Sequence, residues 1–547
     1  MADVTCRGYD GIPAESTVNR KFKVAPRIVY DYSSLTEHLL CQGFFYGGNV
    51  YADAGEEVIM KFNLTLEEAE KIADTGAYGV IPVSTELLSD FITPIETMRI
   101  LKAVSTHCYL LESAQANETW GRYTFLGYDP KMEITCIGGE MKAGDLSFHT
   151  EDPSEFLRKL LSQYKSPVLP GLPPFTGGLV GYFSYDYLGY SEPTVRREVE
   201  DSEAFKDVDL MLFDRVITFD HVRQKIILIA NMKTKDPETE YNRALLSLRQ
   251  MADLLKNGER KAEKPGHLTG EVTPLFDKER YCEMVEKARQ YIREGDIFQI
   301  VLSNRLSAPF EGSLFHTYRI LRTVNPSPYM FYFSGTDVEV AGASPETLVK
   351  LDNGVLRTFP LAGTRPRGKN EEEDAALEKE LLADEKELAE HNMLVDLGRN
   401  DLGRISKFGT VRVEKLRSVE RFSHVMHIGS TVRGEIREDK DALDAIAAVL
   451  PAGTLSGAPK IRACQLIGEL EGNKRGIYGG AIGYIDFTGN MDTCIAIRIA
   501  YRKNGKVFVR SGAGIVADSV PEKEYEECLN KAKASLTALR LAGELEE

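Results

Sequence analysis

The sequence predicts an α+β protein, a large two-layer body of extended antiparallel sheets with helices packed outside. Three observations carry that expectation. Residues from about 76 to 255 are mostly apolar strand-like runs divided by turn residues. Clean helical stretches stand apart from them, at the start and through the second half. The two kinds of segment do not alternate strictly as strand, helix, strand, which argues against a doubly wound parallel sheet.

Residues 1–59 lack the pattern: 4–23, for example, hold no sustained helix or strand period. A helical run starts after Met60, over 64–73. The codons for Gly55-Glu56-Glu57 suit a purine-rich ribosome-binding sequence, so Met60 is the expected biological start. A genuine extension, serving as a lid or partner contact, is the competing expectation. Gly79-Val80-Ile81-Pro82-Val83 reads as a strand, and Thr93 caps a helix with Pro94 at its first position. Residues 109–113 and 122–127 read as paired strands. Glycines inside the aromatic run 177–187 predict close backbone packing. Strands follow over 216–219 and 226–230, then a helix over about 239–256.

The charged, Gly- and Pro-bearing stretch 257–272 is the best linker in the chain. It divides an N-terminal half, 60–256, from a second half, 273–547. The second half opens with a helix bearing Tyr281, Val285, Ala288 and Ile292 on one face and ending at Gly295. A strand over 296–303 comes next. Helices are expected over 384–397, 440–450, 459–471 and 521–542, with strands between them.

At 547 residues and 43% hydrophobic composition the chain is long enough to bury more than one ordinary core. A net charge of −16 argues against a general nucleic-acid surface, though not against small anionic substrates. The eight cysteines are scattered without a CxxC pair, which fits reduced thiols. No apolar run spans a membrane and no signal-peptide pattern is present, so no membrane association is expected and the cytoplasm is the default location.

The stretch 384–397 carries Glu387 and Glu390 three apart on one helical face, among apolar neighbours. A lone pair of this kind is more often a solvated acidic face. The spacing recurs at Glu524 and Glu527, and two such pairs on two helices suit a hard, oxygen-liganded cation such as Mg²⁺. Four further stretches bear chemistry. GASPE over 342–346 presents Glu346 at a tight turn. PLAGTRPRG over 360–368 combines backbone donors, a hydroxyl and two arginines, a mix suited to a carboxylated ligand. His427 lies within HVMHIGS. LPAGTLSGAPK over 450–460 is a Gly-rich turn into a helix. Singly each is weak, since a turn glutamate, a core histidine or a tight corner would explain it.

Together and in this order, with KELAEHNMLVDLGRNDLGR, YGGAIGY, CIAIR and SGAGIVADSVPEKEYEE, they resemble the chorismate-utilising enzymes, and over 77–547 the large-subunit (component I) family of anthranilate synthases. The resemblance implies that Glu390 and Glu527 bind Mg²⁺, assisted by Glu387 and Glu524. It implies a chorismate site lined by Gly363, Thr364, Tyr478, Arg498, Gly512, Ala513 and Gly514. Glu346 would serve as acid for loss of the C4 hydroxyl, His427 as base at C2, and Thr454 would orient the ring. Ser113, Pro328, Tyr329 and Met330, with Cys494 nearby, would hold L-tryptophan as a feedback inhibitor in the N-terminal regulatory half, leaving 273–547 as the chorismate-binding catalytic domain. Gln299 stands where isochorismate and salicylate synthases carry a lysine that activates water. Ala362 stands where many aminodeoxychorismate synthases carry a lysine that attacks the ring. Both point to ammonia as nucleophile. The rival implied activity is that of a 4-amino-4-deoxychorismate synthase large subunit. No amidotransferase motif appears, so ammonia would come from a glutamine amidotransferase subunit, in an expected heterotetramer, or from solution.

Overall fold

A computed structural model of the chain describes residues 60–113, 121–196, 199, 201, 203–421 and 425–544. The extension 1–59, and with it the expectation of a start at Met60, lies outside the described residues. Local signals place many elements where the sequence puts them. The Thr65 hydroxyl accepts from the Glu68 amide, and the Glu68 carboxylate accepts from the Thr65 amide, closing a capping box on helix Leu66–Ala73. Thr93 caps helix Pro94–Val104. Gly295, left-handed at φ 86°, ends helix Lys278–Glu294. Two boundaries differ from expectation. The strand expected over 296–303 begins at Gln299 and runs to Glu311, where register with Lys506–Ile515 holds it extended. The acidic helix spans Glu385–Gly403 and is preceded by another helix, Glu371–Ala383, broken from it at Asp384, whose carboxylate caps the start of Glu385–Gly403.

Two large sheets form the body, and every pairing between named strands is antiparallel. In the first, the order runs from Val80–Leu88 through Lys225–Lys233, Arg215–Asp220, Tyr123–Tyr128, Cys108–Glu112, Tyr329–Ser334, Glu339–Ser344, Ile499–Lys503 and Lys506–Ile515 to Gln299–Glu311. In the second it runs from Leu361–Pro366 through Val425–Glu435, Val355–Thr358, Thr347–Asp352, Met491–Ile495, Ala481–Asp486, Gly178–Phe183 and Val208–Phe213 to the hairpins over 132–149. An aromatic core drawn from both sheets, including Tyr109, Phe125, Phe213, Phe331, Tyr484 and Phe508, fills the space between them. The glycines of 177–187 do allow close packing: a Cβ on Gly181, at φ 150°, would lie 2.1 Å from the Asp209 carbonyl. The segment 257–272 separates the halves in sequence only. Cys108–Glu112 lies beside Tyr329–Ser334, and Gly178–Phe183 beside Ala481–Asp486, so both sheets interleave the two halves.

The chain steps from one sheet to the other twice in neighbouring places. Glu339–Ser344 belongs to the first sheet and Thr347–Asp352 to the second, so Pro345 and Glu346 make one crossing. Met491–Ile495 and Ile499–Lys503 make the reverse step through 496–498, which includes Arg498. The crossings are adjacent because Gly342 pairs with Ile499 in one sheet and Thr347 with Cys494 in the other.

Candidate active site

At the first crossing Glu346 is held from both sides of its own backbone. Its amide donates to the Ser344 hydroxyl at 3.3 Å, and its carbonyl accepts from the Ile495 amide at 2.9 Å. The side chain accepts a 2.9 Å hydrogen bond from the Thr454 hydroxyl. Burial pushes its carboxyl up to about 7, against the pull of Thr454 and of the Arg498 and Lys531 charges. Thr454 arrives on the short 3₁₀ turn Gly453–Leu455.

Arg498, at the second crossing, adopts φ 52°, a left-handed conformation that a side chain bearing Cβ rarely takes. Such strain costs on the order of 1–3 kcal/mol and persists where surrounding structure imposes it. The guanidinium donates to Asn325 Oδ1 at 3.3 Å. Burial lowers its pKa and the Glu346 carboxylate opposes that shift.

His427 sits on strand Val425–Glu435, opposite Thr364 of strand Leu361–Pro366. The register slips between Ala362 and Thr364, and Gly363, at φ 67°, is the residue of the bulge. The slip turns the Gly363 carbonyl to His427 Nδ1 at 2.8 Å. A carbonyl only accepts, so Nδ1 carries the proton and Nε2 is the basic nitrogen. Burial and the nearby Arg498 charge lower the imidazole pKa, against the Gly363 bond, which keeps the ring neutral. The Arg498 charge is thus felt by both Glu346 and His427, which groups an acid, a base and a cation. The two arginines of the PLAGTRPRG stretch are not part of this group. Arg365 pairs with Glu380 and Asp384 at 2.9 Å each, and Arg367 with Asp374 at 2.9 Å. Helix Glu371–Ala383, unforeseen in the sequence, brings Glu380 and Asp374 to them.

Tyr478 is 3% exposed, and its phenol would lie 3.1 Å from a Cβ placed on Gly512. A Cβ on Gly514 would come within 3.0 Å of the Gln299 amide nitrogen. A Cβ on Gly512 would also lie 2.6 Å from the Leu302 carbonyl, so the two glycines let Tyr478, Gln299 and the neighbouring strand approach this backbone closely. Ala513, between them, turns its methyl into a core with Ile300 and Leu302, so only its backbone faces the glycine side.

The four glutamates lie as two pairs on helices Glu385–Gly403 and Pro521–Gly543. Burial raises the Glu387 pKa and the Glu390 charge adds to it. Burial likewise raises Glu524, with Glu527 adding and Ser519 opposing. The Lys386 charge reaches Glu524, so the two helices approach each other. Arg365 stands 3.7 Å from Glu387, and Lys531 pairs with Glu527 at 2.7 Å. Among the described residues no three His, Cys, Asp or Glu side chains are gathered as a metal cluster. The donors are nonetheless all carboxylate oxygens under mutual repulsion, a set that fits a hard divalent cation. The sequence reading singles out neither Lys531 nor the contact of Asn325 with Arg498. For Lys531 a signal was present, since it follows Glu527 by one helical turn. For Asn325 there was none beyond a turn-forming context.

A separate cavity of about 280 Å³ is lined by Ser113, Pro328, Tyr329, Met330 and Cys494, together with Lys350 and Asp492. The Tyr329 hydroxyl is 2.9 Å from the Thr347 hydroxyl and donates to Asp492 at 2.8 Å. Glu112 beside it is held by Tyr318 and by Arg322 at 3.1 Å. The five residues that resemblance assigned to tryptophan therefore share one cavity.

Residues 106–537 match the family model of the chorismate binding enzyme. Over 88% of this chain and the whole of the relative, the chain is 46% identical to anthranilate synthase component 1 of Acetivibrio thermocellus. It is 45% identical to that of Aquifex aeolicus (strain VF5), over 89% of this chain and the whole of the relative. Among solved structures it resembles anthranilate synthase component I from Streptococcus pneumoniae TIGR4, with a TM-score of 0.69 and 40% identity, covering 77% of this chain and 93% of that one. The menaquinone-specific isochorismate synthase of Escherichia coli shares the fold at 19% identity and a TM-score of 0.62, covering 87% of this chain and 99% of that one.

Proposed function

The chain belongs to the chorismate binding enzyme family, and from that premise we propose that it is the large subunit of an anthranilate synthase, converting chorismate and ammonia to anthranilate and pyruvate. One observation carries the reading. A carboxyl held near pH 7, bonded to Thr454, shares the charge of Arg498 with a neutral histidine whose Nε2 is basic.

With its carboxyl pushed up to about 7, Glu346 is partly protonated at neutrality, and that form gives its proton to the departing C4 hydroxyl, which leaves as water while ammonia bonds to C2. Gln299 offers no amine to activate water, and Ala362 offers none to attack the ring. His427 then takes the C2 proton as the enolpyruvyl group departs. Arg498 holds a substrate carboxylate, and Tyr478 with the 512–514 backbone borders the ring. Glu387, Glu390, Glu524 and Glu527 are the residues that would hold Mg²⁺, which when bound supplies positive charge for the ring carboxylate. The cavity at Ser113 and Tyr329 takes tryptophan as feedback inhibitor. A separate amidotransferase subunit delivers ammonia in the cytoplasm. Among the described residues no helix is long and apolar enough to cross a membrane, in keeping with that setting.

The test uses purified chain, chorismate, Mg²⁺ and ammonium at alkaline pH, followed by anthranilate fluorescence. Fluorescence is expected with ammonium and not with glutamine alone. A non-aromatised amino product would replace this reading with the 4-amino-4-deoxychorismate one. Glutamine-dependent anthranilate from the single chain would refute the separate amidotransferase.

A further inference from the structure

Three charged side chains that the reaction does not use lie wholly inside the second half. Glu471, Arg475 and Arg510 are 4%, 1% and 1% exposed. Arg475 donates to both oxygens of Glu471, at 2.6 and 3.0 Å, and Arg510 donates to one of them at 2.7 Å. Removing such ions from water costs several kcal/mol each, so the arrangement persists only if the remaining donors are satisfied. They are satisfied by distant segments. Arg475 donates to the Leu455 and Val301 carbonyls at 2.7 Å each. Arg510 donates to the Ser303 hydroxyl at 2.8 Å and the Lys474 carbonyl at 2.9 Å.

Each anchor adjoins a residue of the proposed site. Leu455 follows Thr454. Val301 is opposite Gly514 in register and two residues past Gln299. Arg475 precedes Tyr478 by three residues, and Arg510 precedes Gly512 by two. The planar guanidinium of Arg475 therefore ties the Thr454 turn to strand Gln299–Glu311, alongside the 2.8 Å bond from the Val301 amide to the Ser456 carbonyl.

We propose that Arg475, backed by Glu471 and Arg510, is a positioning residue for the reaction, setting the Thr454 turn where its hydroxyl meets Glu346. The inference rests on the assignment of Glu346 and Thr454 to the reaction. An ammonium cannot hold two carbonyls and a carboxylate in one plane, so Arg475→Lys keeps the charge and releases the turn.

A double-mutant cycle of Arg475→Lys and Thr454→Val, assayed with chorismate and ammonium, tests it. Each single variant should lower kcat by about tenfold or more with KM little changed, and the double variant should be no slower than the poorer single, because one effect runs through the other. Both should move the Glu346 limb of the pH profile upward, since the Thr454 bond favours the carboxylate. Additive losses, or wild-type kcat in folded Arg475→Lys, would overturn the proposal. If Arg475→Lys fails to fold on thermal melting, Ser303→Ala, which keeps all three charges, replaces it in the cycle under the same criteria. A wild-type chain that makes no anthranilate defeats the functional reading, whereas an active wild type with an additive cycle defeats this inference alone.

Discussion

Glu346 combines burial, which opposes its charge, with neighbours that favour it, and burial prevails. Its folded pKa of about 7 lies above the ordinary 4.5, so the folded state binds the proton more tightly than the unfolded one. Stability from this group is full below about 4.5 and is lost as pH rises through about 7, a penalty on the order of 3 kcal/mol at alkaline pH. Glu346→Gln keeps the shape and removes the ionisation. We expect it to raise the denaturation midpoint at pH 8, with the gain shrinking toward pH 5, while turnover falls about 10²- to 10⁴-fold. Denaturant melts at the two pH values check the first part, and identical pH dependence in parent and variant would refute it. The identities of Glu346, His427 and Arg498 were legible as motif residues. The pKa of the first and the tautomer of the second were not, because both depend on neighbours remote in the chain.

At the scale of elements, the two acidic helices carry the metal assignment. Within each, one glutamate raises the pKa of its mate, the mark of like charges held a turn apart. Glu390→Gln or Glu527→Gln should nearly abolish Mg²⁺-dependent turnover, by about a hundredfold or more, and leave the melting temperature unchanged or higher as repulsion is relieved. The half-exposed Lys531 partner of Glu527 contributes little to stability. Full Mg²⁺-dependent turnover in either variant would sink the assignment. The helices themselves were readable from composition and from the repeated spacing of their glutamates. Helix Glu371–Ala383 was not, since its apolar face is little more than Leu377 and Leu381 amid a run of glutamates, and it is held by Met426 and Ile428, remote in the chain, and through Arg365 and Arg367.

Across the whole molecule, the cavity proposed to take tryptophan joins strands from both halves, with Met330 opposite Glu112 in register. Its wall also touches the catalytic crossing, since the Tyr329 hydroxyl meets Thr347, the residue after Glu346. A ligand there shifts the site only through unequal affinity for two arrangements, and the effect must be mutual. Ser113→Phe should fill the cavity, abolish tryptophan binding and leave catalysis close to the parent. Calorimetry of tryptophan with and without chorismate and Mg²⁺ decides it: unchanged affinity in the variant, or no mutual effect in the parent, would show the cavity to be uncoupled.

The sequence by itself determined the α+β class, many of the capped helices and the order of the chemistry-bearing stretches, because these follow from local period, caps and contiguous motifs. It could not decide where those stretches meet. Glu346 and Arg498 become neighbours only because two sheet crossings pair side by side, and His427 acquires its basic Nε2 only because a bulge at Gly363 turns a carbonyl to Nδ1. The linker at 257–272 marked a break in composition, yet antiparallel pairing carries strands of each half into both sheets. Register and burial are set by partners far along the chain, and a local pattern holds no record of them.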